Sequence, residues 1–291
     1  MTRCLTGLAS VLLCALAVTA AAQTSGTLPE YGDEFYRPRS GQTGKDVVWV
    51  PTPDALVARM LQAASTTDKD VVYDLGAGDG KIPIAAARDF KARAVGIEYN
   101  PEMAALAVRN AQRAGVADRV TIVTGDIFEK DFSEATVVTL YLLPELNLKL
   151  RPRILQMKPG TRVVSHQFKM GDWEPDESIV ESFRDAYLWI VPANVVGRWT
   201  FKEERGDWTA TAEVTQSLQR IGGTVTVGDR PQPLLSPTLS GATVSFFFVD
   251  KDGQSRSVRG TVAGDKFDGW LRFPTHETRV TGQRAPAPAR S

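Results

Sequence analysis

Three acidic residues stand at the ends of three successive short apolar runs, and a turn with glycine at every second position follows the first. The runs are Val71-Val72-Tyr73-Asp74, Ala94-Val95-Gly96-Ile97-Glu98 and Val120-Thr121-Ile122-Val123, the last continuing to Gly125-Asp126. Asp74 leads into Leu75-Gly76-Ala77-Gly78-Asp79-Gly80. Such a turn lets a bulky ligand lie against bare backbone where a Cβ would clash, near the N–H groups that open a helix. The chemistry it suits is binding of a nucleoside-bearing cofactor. The dinucleotide fingerprint is G-x-G-x-x-G with an acid roughly 20 residues further on. Here the third glycine comes one residue early, and Asp74 stands just ahead of the first. A pyrophosphate would be repelled there, whereas an ammonium-bearing arm can use the carboxylate. The phosphate-cradling G-K-[ST] pattern is broken as well, because Ile82 follows Lys81.

The other two acids extend this reading. A carboxylate at Glu98, 20 residues past Gly78, can accept both ribose hydroxyls where a second strand returns beside the first. Asp126 can accept from the exocyclic amine of a purine, with Ile127 as an apolar wall for the ring. Taken singly, each acid can also be a helix N-cap or a solvated loop residue, and Asp79 reads as a cap ahead of a helix with Pro83 in its first turn. The elements that must carry these groups alternate strand and helix. They comprise a helix over 82–90, further strands over 135–141 and 161–165, and an amphipathic helix over 55–64 with Thr52 as its N-cap. Segments 185–191 and 195–202, joined by Pro192-Ala193-Asn194, are expected to close the sheet as a hairpin, and 170–176 reads as a loop. In an open α/β sheet of this kind the strand ends line the ligand crevice.

The D-x-G-x-G-x-G form at Asp74 resembles the first motif of class I S-adenosylmethionine-dependent methyltransferases. A narrower resemblance comes from Val50-Pro51-Thr52-Pro53, Tyr73 to Lys81, Gly96-Ile97-Glu98-Tyr99-Asn100-Pro101 and Gly160-Thr161-Arg162-Val163-Val164-Ser165-His166. Together they are similar to the small protein-lysine methyltransferases of archaea and mitochondria, those acting on the ATP synthase c-subunit and the adenine nucleotide translocase, and to their bacterial relatives. The resemblance covers residues 47–201. It implies an α/β, Rossmann-like seven-stranded domain and S-adenosylmethionine as cofactor. By the same transfer Asp74, Gly76, Gly78, Glu98 and Asp126 hold that cofactor, with Thr52 near its methionine end, and lysine is the acceptor.

A lysine must be neutral to attack, yet with a pKa near 10.4 well under about 1% is neutral at pH 7. An apolar, aromatic slot lowers that pKa. Tyr141 is the candidate for lining such a slot and Trp49 the second, although both also read as packing residues. The Asn/Asp-Pro-Pro-Tyr signature of base and amide methyltransferases is replaced by Leu140-Tyr141-Leu142-Leu143-Pro144. His166, near the crevice, reads as a general base or as a satisfied strand-end histidine; His276 is given no role. Two other functions stay open: methylation of a small molecule, and a non-catalytic binding module on the same fold.

Composition sets the rest. The chain has 291 residues, with 34 Lys and Arg against 34 Asp and Glu, so no basic excess points to nucleic acid. The expected partner is a protein or small-molecule methyl acceptor. Residues 1–22 resemble a signal peptide: Arg3, an uncharged apolar stretch, then Ala20-Ala21-Ala22. This gives a periplasmic or secreted location, or membrane anchoring through that segment if it stays uncleaved. Export sets a cytoplasmic cofactor against an exported site. Both cysteines, Cys4 and Cys14, fall inside this segment, leaving no thiolate metal site beyond it, and no metal is expected. Residues 23–45 read as a linker or loosely ordered lid, 46–204 as the methyltransferase domain, 205–274 as a small antiparallel β unit, and 275–291 as a disordered tail. The β unit is expected to use runs 209–218, 223–227, 242–249, 255–262 and 267–273, with Asp250-Lys251-Asp252-Gly253 as a hairpin turn rather than a calcium loop.

Overall fold

Strand-forming and helix-forming sequence alternates from Val71 to His166, and the chain folds accordingly. The computed structural model describes residues 31–286; the expected signal segment, residues 23–30 of the expected linker, and 287–291 of the expected tail lie outside them. After a two-residue ladder of β1 (Gln42–Thr43) and β2 (Val48–Trp49) come α1 (Asp54–Ala63), β3 (Val71–Leu75), α2 (Lys81–Phe90), β4 (Arg93–Glu98), α3 (Pro101–Arg113) and β5 (Val120–Thr124). Then follow β6 (Val137–Leu140), α4 (Pro144–Ile154), β7 (Arg162–His166), β8 (Glu177–Glu181) and β9 (Arg184–Ile190). These form a seven-stranded sheet in the order β5-β4-β3-β6-β7-β9-β8. Strands β3 to β7 run parallel; β9 alone is reversed, antiparallel to both β7 and β8. Strand order reverses at β3, whose neighbours are β4 on one side and β6 on the other, so the crevice opens at its C-terminal end.

Both faces of the sheet are covered, which is why its strands read as continuous apolar runs rather than alternating ones. One face packs Val72 and Val137 against Leu56, Met60 and Leu61 of α1 and Ile84 of α2. The other packs Leu75, Leu140 and Val163 against Leu150 and Ile154 of α4 and the buried pair Trp173 and Trp189. Helix α3 starts at Asn100, whose side-chain oxygen accepts from the N–H groups of Glu102 and Met103 at 2.9 and 3.2 Å, a satisfied N-cap followed by Pro101.

The closing hairpin differs from expectation. It is β8–β9, turned by Ser182 and Phe183, and 195–202 is not part of it. That stretch forms β10 (Gly197–Glu203), which pairs with β11 (Thr209–Ser217) and β18 (Glu277–Arg284) of a second sheet. The turn at Ser182-Phe183 carries no glycine, asparagine or proline to announce it, while Pro192 marks the crossing between sheets. The second unit therefore begins before residue 204. It is also larger than expected: β12 (Arg220–Val227), β13 (Arg230–Pro233), β14 (Leu235–Ser240), β15 (Thr243–Val249), β16 (Ser255–Ala263) and β17 (Lys266–Arg272) complete nine antiparallel strands in the order β13-β12-β11-β10-β18-β17-β16-β15-β14. All five expected runs are strands. The expected disordered tail contains β18, an interior strand, because Val280 and Gly282 face the core between exposed polar neighbours. Asp250 accepts from Asp252 and Gln254 N–H groups in the hairpin turn expected there.

The two sheets meet at the end of β7 away from the crevice. Ala193 N–H donates to the Gly241 carbonyl at 2.8 Å, and a Cβ on Gly241 would stand 3.0 Å from the Gly160 Cα, so only glycine fits this approach.

Candidate active site

Each expected site residue is delivered to one place by a strand end or the turn after it. Trp49, Thr52, Asp74, Gly76, Gly78, Glu98, Asp126, Ile127 and Tyr141 all line a single cavity of about 510 Å³, within the range of small-molecule sites. Gly76, Gly78 and Gly80 have φ of 92°, 55° and 84°, a left-handed conformation that side chains resist. A Cβ on Gly78 would lie 2.4 Å from Nε1 of Trp49, so the indole rests on the bare turn.

Asp74 is buried at the end of β3, with the Thr139 hydroxyl donating to its Oδ1 at 2.7 Å. Burial, with smaller contributions from Glu98 and Asp79, raises its pKa to about 7 despite that hydrogen bond. It thus lines the cavity as an acid held there at the expense of its charge, a state that a cationic guest would reverse. Glu98 accepts from Gly78 N–H at 2.8 Å through Oε2 and from Asn100 N–H at 2.9 Å through Oε1. Each oxygen keeps a second lone pair for a hydroxyl. Burial raises the pKa of Glu98 against those bonds. Asp126 accepts from Phe128 N–H at 2.9 Å and from Lys45 Nζ at 2.5 Å, and Lys45 holds its pKa down.

Two capping expectations are corrected. The N-cap of α2 is Gly80, and Asp79 instead accepts from Lys81 N–H at 3.3 Å. The N-cap of α1 is Pro53, and the Thr52 hydroxyl is engaged 3.1 Å from Nδ1 of His166. His166 is buried, and burial drops its pKa to about 4, with Arg184 adding to the fall, so its ring is neutral near pH 7. Its Nδ1 is thus engaged, while its Nε2 has no hydrogen-bond partner among the described residues. Its ring lies 3.8 Å from that of Tyr141, which in turn stacks 6.3 Å from Phe168. With Leu142, Leu143 and Leu146, the Tyr141 and Phe168 rings form an apolar slot within the same cavity, beside the glycine turn.

The segment read as a linker is a folded cover from Tyr31 onward. Asp33 is buried and accepts from Arg109 Nε at 2.6 Å and from Arg113 Nη1 at 3.1 Å on α3. The Tyr31 ring meets Trp49 edge-on at 5.3 Å, and Lys45 lies 4.9 Å above the Tyr99 ring. Sequence reasoning missed Asp33, Lys45, Phe168 and Asn147. Asn147 donates from Nδ2 to Ser165 Oγ and to the Phe168 carbonyl, both at 3.2 Å, and so steadies the slot. No spacing rule links these residues to their partners. Among the described residues no group of three or more His, Cys, Asp or Glu is placed to hold a metal ion.

Comparison with known proteins agrees with this geometry. A sequence model of the ANTKMT methyltransferase domain matches residues 74–177. The chain is 50% identical over 135 residues to a protein-lysine N-methyltransferase of Saccharolobus islandicus, covering 46% of this chain and 84% of that protein. The chain belongs to this methyltransferase family. It is 34% identical over 105 residues to the adenine nucleotide translocase lysine N-methyltransferase of Mus musculus, covering 36% of this chain and 46% of that protein. A crystal structure described as an RNA methyltransferase from Salinibacter ruber, in complex with S-adenosyl-L-homocysteine, is 53% identical and covers 50% of this chain and 96% of its own, with a TM-score of 0.49. The protein is a methyltransferase whose cofactor is S-adenosylmethionine. The residues present fit that molecule. Asp74 would meet its ammonium, Gly76 and Gly78 would leave room for its body, Glu98 would offer acceptors to its ribose, and Asp126 and Ile127 would meet the purine.

Proposed function

We propose that this methyltransferase N-methylates lysine side chains of a protein acceptor. The observation that carries the reading is the aromatic slot: Tyr141, against neutral His166 and near Phe168, gives one part of the cofactor cavity apolar walls. S-adenosylmethionine, when bound, supplies a methyl group already activated on a sulfonium. The chain's own residues then have three tasks. Asp74, Glu98 and the glycine turn fix the donor's position, which is the main source of rate in a displacement of this kind. The slot strips water from the lysine head and favours its neutral amine; the ammonium proton passes to solvent water before attack. Tyr141 and Phe168 orient the amine, and the stack on His166 fixes the Tyr141 ring.

An RNA acceptor, which the description of the Salinibacter structure raises, is disfavoured by the balanced charge of the chain and by the acids Glu181 and Asp185 at the crevice end of β8 and β9, against Arg184. The test is transfer of labelled methyl from S-adenosylmethionine into a protein extract and, in parallel, into total RNA. Hydrolysis should yield methyl-lysine; label confined to RNA or to small molecules would reject the lysine acceptor. We also propose export, on the strength of residues 1–22. A C-terminal reporter active only in the cytoplasm would refute it.

A further inference from the structure

The β8–β9 hairpin ends in a feature that neither folding nor the cofactor explains. Glu181 pairs with Arg184, so Ser182 and Phe183 form a two-residue turn, with φ of 51° and 63°. Two-residue turns with both φ positive match the twist of a hairpin and are favoured for Asn-Gly. A phenylalanine in that conformation is strained, and this one is fully exposed at 104% of its reference area. Val180 on the same edge strand is 69% exposed. Strain and an uncovered aromatic side chain held together at a turn point to function rather than stability.

The location says which function. Strand β9 runs antiparallel to β7, and Gln167 N–H donates to the Asp185 carbonyl at 2.8 Å. The Gln167 side chain in turn accepts from the Tyr141 hydroxyl at 3.4 Å. The tip therefore stands at the crevice end of β7, two residues from Asp185, whose partner Gln167 meets a residue of the slot. Around the tip the hairpin bears Glu181 and Asp185 against Arg184, a charge that complements a lysine-bearing segment.

We propose that Phe183, with Val180, is the docking point for an apolar residue of the protein acceptor flanking the lysine that enters the slot. The proposal rests on the lysine-methylation reading and specifies how the acceptor is chosen: by an apolar neighbour of its lysine.

The test uses the full-length protein with S-adenosyl-L-homocysteine bound and two synthetic peptides, a central lysine flanked by leucines and the same lysine flanked by serines. Binding is measured by calorimetry, independently of turnover. The leucine-flanked peptide should bind more tightly, and Phe183→Ser should weaken it about tenfold, the order expected for burying one aromatic side chain. The serine-flanked peptide and the cofactor should bind as to the parent. The double variant Ser182→Asn, Phe183→Gly installs the favoured turn; it should melt no lower than the parent yet lose the leucine preference. Equal peptide affinities in parent and variants would overturn the proposal. So would a loss confined to binding of vesicles of phosphatidylglycerol and phosphatidylethanolamine, which would make the tip a membrane contact. Phe183-dependent peptide binding without methyl transfer to the peptide would leave the docking surface standing and sink the lysine reading.

Discussion

Lys45 reaches over the crevice to Asp126, its Nζ 2.5 Å from Oδ2. The acid expected to meet the purine edge is thereby also the latch for the covering segment 31–50. Only one of its oxygens is so used, and that oxygen retains a second lone pair. Latch and ligand can thus share Asp126. Both side chains are partly solvent-exposed, so the latch is weak and sensitive to salt. Lys45→Met is expected to speed cofactor release while leaving association nearly unchanged. Raised ionic strength should have the same effect on the parent. Stopped-flow fluorescence checks both; release rates indifferent to the substitution and to salt would show that the cover is not latched there.

Cofactor affinity should depend on pH through Asp74. Its pKa stands near 7, and the ammonium-binding form is the carboxylate. Affinity should fall about tenfold for each pH unit below 7 and level off above it. Asp74→Asn should bind at least about tenfold more weakly, without that slope. Calorimetry across pH 5.5 to 8.5 decides.

The same group weighs on stability. Its folded pKa lies above its unfolded value, so its contribution is complete at acid pH and is lost as pH rises through about 7. Asp74→Asn, which cannot ionise, should make the ligand-free protein more stable at pH 8 by about 1–3 kcal/mol. Denaturant midpoints at pH 5 and pH 8 measure this: the gain should appear at the higher pH and shrink at the lower.

Gly78→Ala should place a Cβ against the Trp49 indole and hold alanine at φ 55°. A stability loss of about 1–3 kcal/mol is expected, together with loss of cofactor binding. Adding Trp49→Ala should remove the clash but not the backbone strain, restoring part of the melting temperature. Full additivity of the two losses would mean that the indole does not rest on this turn.

His166 should leave no mark on the pH–rate profile above pH 5, because its pKa is about 4. The rate should instead rise with pH as the acceptor amine deprotonates. His166→Gln should lower kcat about tenfold through the loosened Tyr141 ring, with cofactor affinity unchanged. An inflection near pH 6.5 that vanishes in the variant would identify His166 as a titrating base instead of a support.

The parallel part of the fold was legible because its signals are local. Apolar runs ending at Asp74 and Glu98 and a glycine turn between strand and helix need no long-range information. Nine residues named from such signals line one cavity. What escaped reading depends on distant partners. Asp33 matters because it meets Arg109 and Arg113 on α3, and Thr52 because it meets His166 rather than capping its helix. The second sheet was underestimated for another reason. Strands such as β18 have one inward side chain in two and read as polar, and the hairpin turn at Ser182-Phe183 breaks the usual residue preference.

The glycine contact between Gly160 and Gly241 fixes where the nine-stranded sheet can act. It joins the methyltransferase sheet at the end of β7 remote from Asp74, Glu98 and Tyr141, so its strands stand behind the catalytic floor. Among the described residues, none of its strands lines the cavity. The rear sheet is thus placed as a handle rather than a jaw: it supports the floor from behind and adds no wall to the site.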